Sequence, residues 1–246
     1  MPATPAWPPR SAPRLFVAEP LAKGAAVTLE ANQAHYLAKV MRMGEGDVVI
    51  LCDDMTGEWA AQVVSAGKRE VVLAPTEKLR KREQVPDFWL CAALLKKDRF
   101  DLVLEKASEL GVRRIQPVIA RRCVAEKLNL ERARAIVTEA AEQCARTALP
   151  EVAEPVKLDA LLREWPADRA LFFADELGGE PAAAAFARSG PAALLIGPEG
   201  GFDDAERAAV RALPQARPIS LGPRILRGET AAIAATALWM AAAGDW

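Results

Sequence analysis

The chain has 246 residues, of which 51% are hydrophobic and 26% charged, and its formal net charge at pH 7 is −1. This length accommodates one large or two small domains, and the apolar fraction is sufficient for a sizeable hydrophobic core. A nearly neutral chain neither supports nor excludes a nucleic-acid partner, so any RNA site has to be a local basic patch.

The composition disfavours several classes of protein. The four cysteines, at positions 52, 91, 123 and 144, fit neither a zinc knuckle nor a secreted disulfide framework, and we expect buried thiols. A single histidine, His35, does not make a His-rich metal site, so we expect no metal. The chain opens without the segments of a signal peptide and has no run of ~20 apolar residues, which predicts a cytoplasmic protein and no membrane partner.

The first part of the chain is rich in turn signals. Repeated prolines in residues 1–13 remove backbone donors, which predicts a flexible arm. Residues 14–74 alternate short β-rich runs with turn residues, a pattern typical of a small β-barrel. Apolar side chains at helical spacing in residues 34–41 predict one helix, which Gly44 ends. The predicted strands are residues 15–17, 48–52, 58–64 and 70–73.

A charged, proline-bounded segment separates this domain from the rest of the chain. We assign residues 75–87 to a linker. Strands and helices alternate over residues 88–246, which predicts an α/β domain with a mostly parallel sheet. Asp98 and Asn129 are the expected N-caps of two helices, the first ended by Gly111 and the second running towards residue 147. The other predicted elements are strands 88–95, 115–119, 170–174, 192–196 and 217–221, and helices 158–165 and 229–243.

The last predicted helix is apolar on all sides, which indicates burial on more than one side. A dimer interface would provide that burial.

Two apolar runs near the C-terminus each end in glycine. They are LLIGPEGGF at residues 194–202 and ISLGPRILRGET at residues 219–230, and neither has the spacing of a P-loop or of G-x-G-x-x-G. Glycine at the C-terminal edge of a buried strand lets backbone approach a ligand, and open α/β sheets bind ligands at this edge. A tight turn after a strand is the plainer explanation of such a fragment.

The order of these two loops, with Arg-x-Glu-Thr opening an Ala-rich helix, resembles the SPOUT methyltransferases. Within that superfamily the chain is most similar to the RsmE family, and the likeness extends over nearly the whole sequence. It includes His35 with VMRMG at residues 40–44, EKASELGV at residues 105–112 and EQCAR at residues 142–146.

This resemblance implies a C-terminal α/β SPOUT domain with a trefoil knot and an N-terminal PUA-like RNA-binding β-barrel. It also implies a homodimer that uses S-adenosylmethionine to methylate N3 of a uridine in 16S ribosomal RNA, either as RNA or within the small ribosomal subunit. Two alternatives stay open. One is a SPOUT methyltransferase acting on another RNA position, such as a ribose 2′-oxygen, and the other is a non-catalytic RNA-binding factor of the same fold.

The cofactor-binding residues that the resemblance implies lie in the two glycine loops, which can offer backbone donors and acceptors with apolar walls. They are Gly197, Pro198, Glu199, Gly200, Gly201, Leu221, Gly222, Ile225 and Leu226.

The predicted catalytic residues are Arg227, Glu229 and Glu199. Uridine N3 carries a proton and attacks a methyl group only as its anion, so either carboxylate could remove or orient that proton. Arg227 could stabilise charge on the flanking carbonyl oxygens. The sequence does not choose between the carboxylates, positioning of the reactants alone could carry much of the rate, and the helix dipole favours Glu229 even without activity.

Basic side chains in both domains are predicted to contact RNA. Arginine pairs near strand ends are as often merely solvated, and His35 is as readily structural, the role that we favour for it. The predicted RNA-binding residues are Arg14, Lys39, Arg42, Arg121, Arg122, Arg146 and Arg224.

Overall fold

The computed structural model describes residues 8–9, 11–67, 69–187 and 190–246. These residues form two compact units: one runs to Gln84 and includes Ala141–Ala148, and the other comprises Val85–Ala140 and Leu149–Trp246. The predicted arm, residues 1–13, lies largely outside the described residues.

The first unit contains a five-stranded sheet. Its elements are β1 (Arg14–Phe16), β2 (Val27–Glu30), α1 (Ala31–His35) followed by a π-helical turn (Tyr36–Val40), β3 (Val48–Cys52), β4 (Gly57–Ala66) and β5 (Glu70–Lys81). The strand order is β1-β3-β4-β5-β2, with β1 parallel to β3 and the other pairs antiparallel. Leu37, Leu51 and Leu73 are fully buried in the core of this sheet, as the predicted barrel requires.

The length of β5 corrects the predicted linker. The strand continues to Lys81, so residues 75–81 are paired with β4 and do not form a connection. Pro75 is tolerated because the register shifts opposite Ala60 and Ala61, and such an irregularity accommodates a residue without a backbone donor. The other predicted domain boundaries stay a prediction.

The helical segment after β2 also differs from expectation. It begins at Ala31 and changes to a π-helical turn at Tyr36. Arg42, with a φ of 55°, is the residue in left-handed conformation beyond this turn, so Gly44 does not end the helix. His35 is exposed, which does not support the structural role favoured from the sequence.

The turn between β3 and β4 is organised by the buried carboxylate of Asp53. Burial raises the pKa of Asp53, but hydrogen bonds outweigh that effect and hold the pKa below its ordinary value. The carboxylate accepts these bonds, 2.6–3.0 Å long, from the backbone N–H groups of Leu21, Met55, Thr56 and Gly57 and from the Thr56 hydroxyl.

The elements that follow along the chain alternate as predicted. They are β6 (Phe88–Ala93), α2 (Lys97–Glu109), β7 (Arg114–Ile119), α3 (Leu130–Gln143), β8 (Glu151–Val152), β9 (Val156–Lys157), α4 (Leu158–Arg163), β10 (Ala170–Ala174), β11 (Glu180–Pro181), α5 (Ala182–Ala185), β12 (Ala192–Ile196), α6 (Asp204–Arg211), β13 (Ala216–Ser220) and α7 (Gly228–Ala243).

The second unit is organised by a sheet with strand order β11-β13-β10-β12-β6-β7-β8, and β9 pairs with β7. All of these pairings are parallel, which confirms the predicted α/β class. Successive residues of β12 enter different cores, Leu194 on one face and Leu195 on the other. On the Leu194 face, the rings of Phe88 and Trp239 stack with centroids 4.1 Å apart. The trefoil knot stays a prediction.

The predicted helix caps have different outcomes. Asn129 is confirmed as a cap, because its side-chain oxygen accepts a hydrogen bond from the Arg132 N–H at 3.0 Å. Gly111, with a φ of 85°, follows the end of α2 as expected. Asp98 lies in the first turn of α2, and the N-cap position belongs to Lys96.

Three further features concern the whole described part of the chain. Cys52 and Cys91 are buried, whereas Cys144 is exposed, which corrects the expectation for that thiol. The described residues contain no group of three His, Cys, Asp or Glu side chains arranged to hold a metal ion. None of the described helices has both the length and the apolar character needed to cross a membrane.

Asp53→Asn should destabilise the first unit in a pH-dependent way. Because the pKa of Asp53 is lowered by folding, its contribution is present above the unfolded-state value near ~3.9 and is lost as pH falls through the folded-state value. We expect the substitution to lower the free energy of unfolding by about 2 kcal/mol at pH 7. This difference from the wild type should become smaller below about pH 4. The rates of amide hydrogen exchange in β3 measure this loss of stability.

The matched control for that experiment is Asp47→Asn. Asp47 is exposed and its carboxylate accepts a hydrogen bond from one backbone group, the Gly44 N–H at 2.7 Å. Asp47→Asn should lower the free energy of unfolding by well under half as much as Asp53→Asn does. Equal effects of the two substitutions, or a difference that does not change with pH, would contradict the role assigned to Asp53.

Candidate active site

A cavity of about 380 Å³ lies at the C-terminal edge of the parallel sheet, beside the last residues of β10, β12 and β13. Its volume falls within the usual range for small-molecule sites. Both predicted glycine loops form its walls, one after β12 and the other after β13. The predicted site residues that line it are Gly197, Pro198, Glu199, Gly201, Leu221, Gly222, Arg224, Ile225, Leu226 and Arg227.

A second depression of about 680 Å³ lies on the first unit, against Lys23, Trp59 and Lys78. It contains no set of converging carboxylate and guanidinium groups comparable with that of the sheet-edge cavity, so we assign the chemistry to the latter.

The glycines that line the cavity allow close packing of the loops. A Cβ at Gly197 would lie 2.9 Å from the Phe202 ring, and one at Gly201 would lie 2.8 Å from a carboxylate oxygen of Glu176. Gly222 has a φ of 104°, which favours glycine, and no atom lies within 4 Å of its Cβ position, although its N–H donates a hydrogen bond to Ser220 Oγ at 3.3 Å. The loops therefore need glycine for two different reasons, steric contact and backbone conformation.

The loop after β7 braces the first glycine loop. Arg122 donates a hydrogen bond to the Gly200 carbonyl oxygen at 2.8 Å, and Arg121 pairs with Asp203 at 2.7 Å. The Arg121 N–H also donates to Glu206, which forms the capping box of α6 with Asp203. Gly200 does not line the cavity, and a Cβ there would lie 3.3 Å from Arg122. Gly200 thus contacts Arg122, and its predicted contact with a cofactor stays a prediction.

Arg99 joins the two predicted catalytic carboxylates. Its Nη1 lies 3.2 Å from Oε1 of Glu199, and its Nε lies 3.8 Å from Oε1 of Glu229. Glu199 lines the cavity, whereas Glu229 does not and is 9% exposed. Oε2 of Glu229 is buried and has no hydrogen-bond partner among the described residues.

Sequence reasoning missed Arg99, although one signal was present. This residue lies in the first turn of α2, directly after β6, and so at the same sheet edge as the glycine loops. An isolated arginine matches no motif, and only the strand order brings β6 next to β12.

Arg227 and Glu229 lie two residues apart but in different environments. Arg227 is exposed, occupies the N-cap position of α7 and lines the cavity, and its carbonyl oxygen accepts a hydrogen bond from the Ala231 N–H. Glu229 belongs to the first turn of α7, where the helix dipole stabilises its charge. Proximity in the sequence thus does not give the two side chains the same access to a substrate.

The cavity lining also contains an ion-pair network that sequence reasoning missed. The Asp175 carboxylate pairs with Arg207 at 3.2 Å and with Arg211 at 2.6 Å, and its side chain is 1% exposed. Glu176 pairs with Arg207 at 2.7 Å. Both oxygens of Asp175 are thereby occupied, so its role is to hold this part of the lining in place.

Five of the predicted RNA-binding residues are exposed. Lys39 and Arg42 lie on the first unit, and Arg224 lies on the second. Arg121 and Arg122 are exposed too, but they also brace the glycine loop.

Two predicted RNA contacts are corrected by the structure. Arg14 pairs with the buried Glu58 at 2.5 Å, beside Arg80, which binds the same carboxylate. The Arg146 side chain is 4% exposed and lies 3.9 Å from Glu83, and burial lowers the pKa of Arg146. Internal pairing and burial leave these two guanidinium groups unsuited to binding phosphate.

Models of known protein families match both parts of the chain. A model described as an RNA methyltransferase domain matches residues 81–240, and a model described as an RNA methyltransferase PUA domain matches residues 29–75. Ribosomal RNA small subunit methyltransferase E from Synechocystis is 35% identical, over 91% of this chain and 76% of the relative. The protein of that name from Rickettsia conorii is 29% identical, over 91% and 93%.

Solved structures agree with these matches. A Ribosomal RNA small subunit methyltransferase E from Neisseria gonorrhoeae, bound to S-adenosyl methionine, has a TM-score of 0.86 and 28% identity, over 96% of this chain and 99% of that one. A putative methyltransferase from Legionella pneumophila, in complex with the cofactor SAM, has a TM-score of 0.85, 31% identity and the same coverage. The chain belongs to the ribosomal RNA small subunit methyltransferase E family, the RsmE branch of the SPOUT methyltransferases, with a PUA-like domain before its α/β domain.

Proposed function

We propose that this protein transfers the methyl group of S-adenosylmethionine to N3 of a uridine in 16S ribosomal RNA, acting in the cytoplasm on RNA or on the small ribosomal subunit. The observation that carries this proposal is the cavity between the two glycine loops, in a chain of the RsmE family. A PUA-like domain gives the same chain a second surface for RNA.

The residues that line the cavity fit S-adenosylmethionine, which supplies an electrophilic methyl group on its sulfonium. Ile196, Ile219 and Leu226 provide apolar surface, and the Cβ side of Gly222 leaves room for a ligand beside the second glycine loop. The Glu199 carboxylate adds negative charge that suits a cation. Glu229 Oε2, a buried acceptor without a partner in the described part of the chain, lies next to this wall.

The chemistry that the chain has to supply follows from the uridine. Its N3 becomes nucleophilic when the proton leaves, and the negative charge then spreads to the flanking carbonyl oxygens. Arg227 is exposed at the cavity and offers a planar guanidinium for those oxygens, while a carboxylate receives the proton. We therefore assign Arg227 to charge stabilisation and retain Glu199 and Glu229 as the carboxylates of the site.

RNA binding is assigned to the exposed cations of each unit. Lys39 and Arg42 on the first unit and Arg224 on the second are suited to phosphate contacts. Arg121 and Arg122 are assigned to the same role, in addition to their contacts with the glycine loop.

The function is tested by calorimetry and by mapping ribosomal RNA. The purified protein should bind S-adenosylmethionine, and 16S RNA from cells lacking the gene should lose one N3-methyluridine that returns on complementation. A methyl group lost from a ribose 2′-oxygen would favour another SPOUT activity. RNA binding without cofactor binding would identify a non-catalytic factor.

Arg227→Ala should slow methyl transfer more than it weakens binding. Removing one donor from a charge-stabilising site typically lowers the rate ~10²–10³-fold. Arg227→Lys should restore little of the rate, because lysine lacks a planar guanidinium group. Single-turnover methylation at saturating RNA and cofactor measures this. Arg217→Ala is the control, since Arg217 is exposed but does not line the cavity. A normal rate constant for Arg227→Ala at saturation would assign Arg227 to binding alone.

We also propose that the protein is a homodimer through α7. The helix keeps an apolar stripe uncovered at helical spacing, formed by the half-buried Ile233, Ala234 and Ala237 and by the exposed Leu238. Leu238 is 41% exposed. A second copy offers the same apolar stripe, so a two-fold contact would cover both.

Leu238→Glu should convert the dimer into a monomer, because a charge on the stripe would have to be buried twice in a symmetric contact. Light scattering at micromolar concentration measures the mass. Val64→Glu is the control, because Val64 is 51% exposed on β4, outside the stripe. A wild-type protein that is monomeric under these conditions would contradict the proposal.

A further inference from the structure

We propose that Glu199 accepts the N3 proton of the bound uridine. In this assignment Arg99 is a positioning residue, which contacts the buried Glu229 on one side and holds Glu199 in place on the other. This assignment rests on the proposed function and divides the roles of the two carboxylates. It depends on which oxygen atoms a substrate can reach and on the arginine between them.

Access separates the two carboxylates. Oε1 of Glu229 faces Arg99 at 3.8 Å, and Oε2 of Glu229 is buried. Glu229 does not line the cavity, so it is less accessible to a uracil ring than Glu199 is. Glu199 lines the cavity, and its side chain is 25% exposed. A general base has to come within hydrogen-bonding reach of the proton it removes, and of the two carboxylates only Glu199 lines the cavity.

The two oxygens of Glu199 have different partners. Oε1 accepts a hydrogen bond from Nη1 of Arg99 at 3.2 Å. No protein donor within the described residues reaches Oε2 of Glu199. One oxygen is thus held while the other is available to a substrate, the arrangement that an oriented base requires.

Arg99 can orient Glu199 because it is itself anchored. Its Nε faces Glu229, which lies in the first turn of α7 and is buried there. The α7 N-terminus is in turn packed against the segment between β6 and α2, since a Cβ at Gly228 would lie 3.0 Å from Leu95. A guanidinium presents donors along two edges and can bridge two carboxylates, which the single ammonium of lysine does not reproduce.

The proton and electron balance of the step is simple. The Glu199 carboxylate takes the proton from N3, and the N3 electron pair forms the new bond to the methyl carbon. The electrons of the broken carbon–sulfur bond remain on sulfur. Glu199 then returns its proton to solvent, which it reaches because its side chain is partly exposed.

The experiment is a double-mutant cycle in single-turnover methylation at saturating RNA and cofactor. Glu199→Gln should lower the rate constant about 100-fold or more, and Arg99→Ala roughly 10-fold, at cofactor concentrations that calorimetry shows to be saturating for each variant. In the double variant the rate should equal that of Glu199→Gln alone, because Arg99 acts through Glu199. Arg99→Lys should recover little, and Glu229→Gln should resemble Arg99→Ala.

Arg132→Ala is the matched control, because Arg132, on α3, pairs at 2.5 Å with Asp101 on α2, the helix that carries Arg99, but does not line the cavity. It should leave the rate unchanged. Three results would overturn the assignment even if the wild type methylates uridine N3. They are a normal rate constant for Glu199→Gln, a larger loss of rate for Glu229→Gln than for Glu199→Gln, and losses of rate that add in the double variant. A wild type that leaves uridine N3 unmodified would overturn the proposed function and this assignment together.

Discussion

The candidate active site depends on one close approach, between the start of α7 and the ends of β6 and β12. A Cβ at Gly228 would lie 3.0 Å from the Leu95 side chain and 3.5 Å from the Gly197 carbonyl oxygen, so a larger residue would require Leu95 to move. Because α7 begins in this tight contact, Glu229 is buried in its first turn while Arg227 remains at the cavity. The same contact places Glu229 within reach of Arg99 on α2.

The parts that could be predicted from the sequence are those whose signal is local. β10 and β12 coincide with the predicted residues 170–174 and 192–196, because buried parallel strands are continuous apolar runs. Except for Gly200, all of the predicted cofactor residues line the cavity. Glycine after such a strand marks the loop, and the parallel order brings both loops to one edge. Gly200 shows the limit, since its spacing does not reveal that Arg122 occupies its Cβ side.

The parts that were missed depend on pairing across long distances in the chain. Pro75 and the charged residues after it indicate a linker, yet β4 supplies a partner and an irregular register that keeps them in a strand. Arg14 and Arg146 carry the charge expected of RNA contacts, but Glu58 and Glu83 lie beside them in the fold. The charge of a residue does not show from the sequence whether its side chain is buried in the fold. Helix α6 was missed despite a local signal, the Asp-x-x-Glu capping box that opens it.

Two parts of the cavity lining use the same side-chain types for different purposes. In one part both oxygens of Asp175 are held by Arg207 and Arg211, and the side chain is almost fully buried, so this carboxylate has no capacity left for a ligand. In the other part, Glu199 shares the single cation of Arg99 with Glu229. Two carboxylates facing one guanidinium leave an excess of negative charge where a sulfonium is proposed to bind and a proton to be removed. The paired carboxylate of Asp175 therefore helps to fix the shape of the cavity, whereas Glu199 and Glu229 are the carboxylates to which we assign its proposed chemistry.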